Sequence, residues 1–528
     1  MIANLKISIF ILTLGLLPCS CQNGEVKTVR IETTGSGYYQ EQYRPQFHFS
    51  PEANWMNDPN GLVYLDGEYH LFYQYYPYSS VWGPMHWGHA VSRDLIHWNH
   101  LPVALYPDSL GYIFSGSAVV DLTNTSGFGT RENPPLVAIF TYHNPDLEKR
   151  GSIKFQNQGI AYSLDKGRTW SKYSANPVLK NPGFRDFRDP KMFWNEKKKK
   201  WNLIMAVHDR VHIYSSPNIK DWTFESEFGK NIGAHGGVWE CPDLFPLKVE
   251  GGETEKWVML VSINPGGPNN GSATQYFTGE FDGHKFVPDE INEKWIDWGR
   301  DNYAGVTWSN IPGSDGRRIF IGWMSNWNYA TVVPTTVWRS ANTIPRELSL
   351  KMEDGHYFLT SKPITELGSL RNATDTSSVN NLSFTGEKVI STGSLSLMQS
   401  ELLFGFDLSD KSVDSLGIIL ENSVNERFII GYSVLKKQFY IDRRKSGNSD
   451  FSKEFARIST APYNAGAVLK MHLLVDASSV ELFVDDGRLV MTTLVFPTDR
   501  FTRLQLFSKG GTGLLNKAVF HGLEKIWR

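Results

Sequence analysis

The sequence is poor in cysteine, in net charge and in long apolar runs. Its three cysteines, at positions 19, 21 and 241 of 528 residues, leave no disulfide framework. Zinc chemistry lacks its spacings: there is no Cys-x-x-Cys or His-Glu-x-x-His, and His86-Trp-Gly-His89 misses the i, i+4 interval of a helical pair. Lys and Arg number 53 against 55 Asp and Glu, a formal charge of −2, so no basic field draws nucleic acid or an acidic membrane surface. Beyond residue 17 nothing approaches the roughly 18 apolar residues of a membrane helix. A Gly-x-Ser-x-Gly elbow and a phosphate-binding Gly-rich loop are also missing.

Aromatic residues are abundant instead. Trp, Tyr and Phe make up 13% of the chain, enough to line both a core and a sugar site. From about residue 60 short runs rich in Val, Ile, Tyr, Phe and Trp alternate with Gly, Pro, Asn and Asp, the pattern of a β protein. The stretch from Gly61 to Tyr73 reads as a hairpin turning at Asp66-Gly67. A loose internal echo follows strand-like segments at Ser92-Arg-Asp94 to Trp98, Ser163-Leu-Asp165 to Trp170 and Ser216-Pro-Asn218 to Trp222. Such repetition suggests propeller blades, each closing a sheet with a turn stapled by an Asp or Asn side chain. Near residues 363–380 the pattern changes to a short amphipathic segment and a Thr/Ser/Asn-rich stretch, which reads as a linker. Strict alternation at 469–475 and 480–484, with a turn at Asp485-Asp486-Gly487, then points to a β-sandwich.

At the amino terminus, Lys6 precedes eleven mostly apolar residues, Ile7 to Leu17, the length of a signal h-region. The following Leu-Leu-Pro-Cys-Ser-Cys resembles a bacterial lipoprotein signal, with Ser20 before Cys21 as the lipidation site. Cys241 would then stand alone, as a small buried filler or a reactive thiol.

Three carboxylates have unusual settings. Asp58 lies in Trp55-Met56-Asn57-Asp58-Pro-Asn-Gly, where an aromatic, an amide and an acid are compressed before the first hairpin, although Asp-Pro-Asn-Gly is a good turn by itself. Asp189 follows Arg188, a neighbour expected to keep it ionised, and precedes a chain-directing Pro190. Glu240 sits among Val238, Trp239 and Cys241, where desolvation would let it hold a proton near neutrality. One ionised and one protonated acid suit glycoside hydrolysis, and equally a lectin-like propeller whose acids only hydrogen-bond sugar hydroxyls.

Taken together, His48-Phe-Ser-Pro and Trp55 to Gly61, Phe187-Arg-Asp-Pro190 and Trp239-Glu-Cys-Pro-Asp243 resemble the three hallmark motifs of glycoside hydrolase family 32, the invertases, inulinases, levanases and fructan exohydrolases. Phe114-Ser-Gly-Ser-Ala118, Asp297 to Ala304, Ile321-Gly-Trp-Met324, Pro345-Arg-Glu-Leu348 and Asp476 to Val484 extend the likeness over nearly all of the chain after residue 45. The resemblance implies an all-β architecture, a five-bladed β-propeller followed by a C-terminal β-sandwich, and retaining hydrolysis of β-fructofuranosidic bonds with no cofactor and no metal. It implies Asp58 as nucleophile, Glu240 as acid/base and Asp189 as transition-state stabiliser, the first two about 5–5.5 Å apart. Trp55, Met56, Asn57, Gln74, Trp82, Phe114, Ser115, Arg188 and Trp323 would bind the sugar, with packing between blades as the other role open to Trp82 and Trp323.

The domains expected are a signal segment at 1–21, a tether at 22–40, the propeller at 41–362, the linker at 363–380 and the sandwich at 381–528. The substrate expected is a fructan, levan with its β-2,6 links ahead of inulin or sucrose, with endo or exo cleavage left open. A lipid anchor would make the protein an exported monomer of the cell envelope, at the outer membrane and open to the surface. An inulinase- or invertase-type exo-β-fructosidase, a fructosyl transferase and a non-catalytic fructan-binding surface protein are the alternatives. The sandwich is expected mainly to pack against the propeller.

Overall fold

A computed structural model describes residues 37–410 and 412–527. The signal segment, Cys21 and the tether as far as residue 36 lie outside the described residues. The tether ends before residue 40: Tyr39 is buried, with its ring centroid 4.2 Å from that of Trp527 and its hydroxyl 2.8 Å from His100 Nε2.

Five antiparallel sheets follow in chain order, and their innermost strands are Asn54–Leu65, Tyr112–Val120, Phe187–Asn195, Val238–Lys248 and Tyr303–Thr307. The ring closes through Trp338–Arg339, which pairs in parallel with Asn54 and Trp55 of the first blade. Blades cohere because their strands are apolar on both faces. In Leu136–His143, Val137 and Ile139 enter the core shared with the third blade while Leu136, Ala138 and Phe140 enter the core shared with the first.

The first hairpin turns at Asp66 (φ 49°) and Gly67 (φ 86°) between paired Leu65 and Glu68. The three echoes form the same turn, between the third and fourth strands of blades one to three. Asp94 Oδ1 accepts from the Ile96 and His97 amides, Asp165 Oδ1 from the Thr169 amide, and Asn218 Oδ1 from the Lys220 and Asp221 amides. A fourth copy, Asp282 accepting from the His284 and Lys285 amides, lacks the Ser and Trp that made the others visible.

The linker is shorter than its composition suggested. A single 3-10 turn, Thr365–Leu370, ends at once in the strand Arg371–Ile390, so the Thr/Ser/Asn-rich stretch is a strand, paired along most of its length with Arg503–Leu523. Both of these long strands bend from one sheet of the sandwich into the other, near Gly386 and Gly510, each at positive φ. A large apolar cluster including Leu402, Phe406, Ile418, Phe439 and Leu482 fills the space between the sheets.

Propeller and sandwich meet across buried charge. His48 bridges Asp476 (2.7 Å) and Glu481 (3.0 Å), Arg346 joins Glu481 (2.8 Å) to Asp297 (3.0 Å), and Arg443 holds Asp301 (2.6 Å). Asp476 and Glu481 come from the sandwich motif and Asp297 and Asp301 from the propeller motif, so these sequence signatures mark the seam between the domains.

Candidate active site

Each innermost strand carries a register shift near its N-terminal end, at Asn57-Asp58, Phe114-Ser115, Asp189-Pro190, Cys241-Pro242 and Ala304-Gly305. Such β-bulges turn side chains out of the pleat, here toward the propeller axis. Asp189 (φ 62°), Cys241 (φ 44°) and Ala304 (φ 54°) hold left-handed backbone there, a cost borne by the surrounding sheet.

The result is a cavity of about 280 Å³ containing Asp58, Asp189 and Glu240 together. Asp58 accepts hydrogen bonds from Ser115 Oγ (2.7 Å) and Asn57 Nδ2 (3.0 Å), with the Cys241 thiol at 3.5 Å. Burial and the nearby Glu240 carboxylate push Asp58 above the usual carboxylate range, against the pull of these donors. Asp189 accepts from the Cys241 amide at 3.0 Å. Its burial raises it to about 7, with Arg188 opposing and the Glu240 and Asp58 carboxylates adding to the rise.

Glu240 is held at both oxygens. Arg188 donates to Oε1 from Nε (3.2 Å) and Nη2 (3.0 Å), and the buried Tyr303 hydroxyl donates to Oε2. Arg188 also donates to Asp186 at 2.6 Å, whereas its nearest approach to Asp189 is 3.9 Å. The expected Arg188–Asp189 pair is therefore replaced by an Arg188–Glu240 pair, because the bulge turns Asp189 aside toward the Cys241 amide. Nor is Glu240 in an apolar setting: Trp239 and Cys241 pack into separate cores on either side of it.

The chain matches the model of the glycosyl hydrolases family 32 N-terminal domain over residues 48–363, and that of the family 32 C-terminal domain over residues 366–522. The chain belongs to glycosyl hydrolase family 32. It is 48% identical to a levanase of Bacillus subtilis over 501 residues, covering 94% of this chain and 72% of the relative. It is 40% identical to an extracellular exo-inulinase of Aspergillus awamori, covering 93% and 96%. The crystal structure of the A. awamori exo-inulinase superposes with a TM-score of 0.86 at 38% identity, over 93% of this chain and all of that one. A fructofuranosidase variant of Schwanniomyces occidentalis complexed with fructosylnystose gives 0.84 at 32% identity, over 93% and 99%. The protein is thus a glycosidase, with the propeller and sandwich of its family.

For this family 32 chain, the expected binding residues divide into two groups. Asn57, Gln74, Trp82, Phe114, Ser115 and Arg188 line the cavity. Trp55, Met56 and Trp323 do not: all three are fully buried behind it. Trp55 Nε1 donates to Asn57 Oδ1 at 2.7 Å, and Trp323 packs between Tyr303 and Trp327, so each reaches the cavity only through a neighbour. Strand alternation explains Met56, whose side chain joins the core between the first and last blades.

Sequence reasoning missed Trp327, which lines the cavity with its ring stacked on Trp55 (6.0 Å, 24°), and Tyr303, the partner of Glu240. It also missed a rim in the second blade. His143 stacks flat on Phe114 (4.3 Å, 8°) and contacts Glu148 at 3.1 Å, while Glu148 pairs with Arg185 at 3.1 Å. Burial lowers His143 to about 4, so it works as a neutral ring. Among these, only Tyr303 stood in a motif that could have disclosed it.

Proposed function

We propose that the protein removes terminal fructosyl units from fructans by retaining hydrolysis, with levan as its preferred polymer. The observation that carries this reading is the convergence of Asp58, Asp189 and Glu240 on one small cavity. Asp58, held by Ser115 and Asn57 with one face toward the sugar, attacks the anomeric carbon. Glu240, oriented by Arg188 and Tyr303, gives its proton to the leaving oxygen and then activates water. Asp189 binds two sugar hydroxyls as positive charge develops on the ring. Trp327, Trp82 and Phe114 shield that charge from water.

The cavity lies at the lower edge of the roughly 300–1,000 Å³ of ligand pockets, which suits one sugar held at its base and supports terminal cleavage. The 48% identity to the B. subtilis levanase supports levan over inulin, while a Bacillus levanase at 39% stands level with the exo-inulinases at 40%. The protein acts as an exported monomer, lipidated at Cys21 and held on the outer membrane. Cys21→Ala abolishes incorporation of labelled palmitate if so, and equal labelling of both forms overturns the anchor.

The deciding experiment is timed chromatography of products from levan, inulin and sucrose. Fructose alone, released fastest from levan, is the expected result. A ladder of oligosaccharides overturns terminal cleavage, and no product from any substrate overturns the hydrolase reading. Glu240→Gln loses turnover and keeps binding.

A further inference from the structure

The propeller axis has a second opening. In the innermost strand of the third blade, Phe193, Trp194 and Asn195 lie about 13–20 Å beyond Asp189 at the usual strand rise, away from the catalytic cavity. The far ends of the innermost strands of blades two to four surround a cavity of about 540 Å³ there. Lys191 and Asp243 close the axis between the two, paired at 3.1 Å. Lys191 also donates to the Thr307 carbonyl (2.6 Å), and Asp243 accepts from the Thr307 amide (2.7 Å) and hydroxyl (2.8 Å).

The wall of this lower cavity has three features that packing alone does not require. Two aromatic pairs flank it, Phe193 with Trp257 (centroids 5.6 Å apart) and Trp194 with Trp201 (5.2 Å), and Phe193, Trp194 and Trp257 keep part of their rings in solvent. Leu122 stands at the rim, 60% exposed. Arg318 lies over the Phe245 ring at 4.9 Å, and its guanidinium makes one long hydrogen bond, 3.4 Å to the Trp308 carbonyl, leaving most of its donors unspent. Formal charge is balanced: Lys191, Lys197 and Arg318 face Asp243, Glu196 and Glu255. An anion gains no net attraction there, whereas a neutral polyol with one apolar face matches both the rings and the free donors.

We propose that this cavity is a second sugar site that holds a short stretch of neutral fructan chain, about two or three units long. The aromatic rings take the apolar faces of the sugars and Arg318 donates to their hydroxyls. Only the identity of the sugar rests on the fructan-hydrolase reading. Anchoring a polymer at one end of the axis raises the local concentration of its chain ends at the other, so the gain appears with polymer and vanishes with sucrose.

The test uses Arg318→Met and Leu122→Arg in the full-length protein. In a Glu240→Gln background, mobility in native gels containing levan or inulin is expected to show at least a threefold loss of apparent affinity for each variant. With an intact Glu240, KM for the polymer rises by a similar factor while kcat/KM for sucrose stays within twofold. If Arg318→Met does not fold, Leu122→Arg, at an exposed position, carries the test. Unchanged retardation and unchanged polymer KM overturn the proposal. So does sedimentation showing that Leu122→Arg breaks a dimer while leaving retardation intact, since a second copy would then cover the cavity. Retardation lost in the variants of a protein that turns over no fructan keeps this site and overturns the catalytic reading.

Discussion

At the seam between propeller and sandwich, four buried carboxylates (Asp297, Asp301, Asp476 and Glu481) meet His48, Arg346 and Arg443, each cation bonded to at least one of them. At the catalytic mouth, Asp186 and Glu240 bond to one cation, Arg188, Asp189 lies 3.9 Å from it, and Asp58 is held by the neutral donors of Ser115 and Asn57. The two regions differ in access as well as in neutralisation: the seam carboxylates are fully buried, whereas Asp58, Asp186 and Glu240 keep part of their surface in solvent. The seam spends its charge on geometry, and Glu481 is held down to about 2 by Arg346 and His48 despite burial. At the mouth burial raises Asp189 to about 7 and raises Asp58 as well, and repulsion among the carboxylates adds to both. Unrelieved repulsion marks the region that reacts with a ligand, and paired charge marks the region that only joins.

That contrast is open to attack in decreasing order of effect. Asp58→Asn and Glu240→Gln lower kcat by about 10⁴-fold, and because Asp58→Asn removes a charge repelled by Glu240 and keeps its neutral partners, thermal unfolding shows its Tm unchanged or raised. Arg346→Met strands Asp297 and Glu481 and destabilises by about 3–5 kcal/mol in denaturant titration, with kcat of the folded fraction retained. If Arg346→Met instead abolished kcat and spared stability, the division between the two regions would fail.

Protonation separates them next. At the seam, Asp476 and Glu481 raise His48 to about 9 against burial, so its stabilisation is full below about 6.5 and lost as pH rises through 9. Glu481, lowered to about 2, contributes fully above about 4.5 and loses its contribution as pH falls through 2. Both are intact between about 4.5 and 6.5, and Tm plotted against pH falls by a few degrees on either side of that window. His48→Gln flattens the alkaline side. Last, Tyr303→Phe removes one hydrogen bond to Glu240 and lowers kcat by about 10- to 100-fold, with KM within twofold and Tm little changed.

The sequence disclosed what is local. Asp58, Asp189 and Glu240 were legible because each stands in a short run whose neighbours are themselves unusual, and the Asp66-Gly67 hairpin and three Asx-stapled turns were legible because turn chemistry is written in adjacent residues. What was hidden depends on residues far apart in the chain. Nothing near Glu240 reveals that Arg188, 52 residues earlier, would reach it while leaving Asp189 to the Cys241 amide. Trp327 and His143 meet the acids only once the blades are arranged in a ring. Residues 371–380 read as part of a linker because their Thr, Ser and Asn side chains give no apolar alternation, although the strand they begin is paired along most of its length with a partner more than a hundred residues away.

The strand Trp338–Arg339 gives the ring closure a temporal meaning. It pairs with Asn54 and Trp55, the latter three residues before Asp58, so the strand that carries Asp58 is completed by one of the last segments of the propeller to be made. Shortly afterwards the Ile344 amide is fixed by Glu481, which also grips His48. Contacts of such long range form late. A chain still emerging from the ribosome therefore carries all three acids before the strand that completes the first blade has been made.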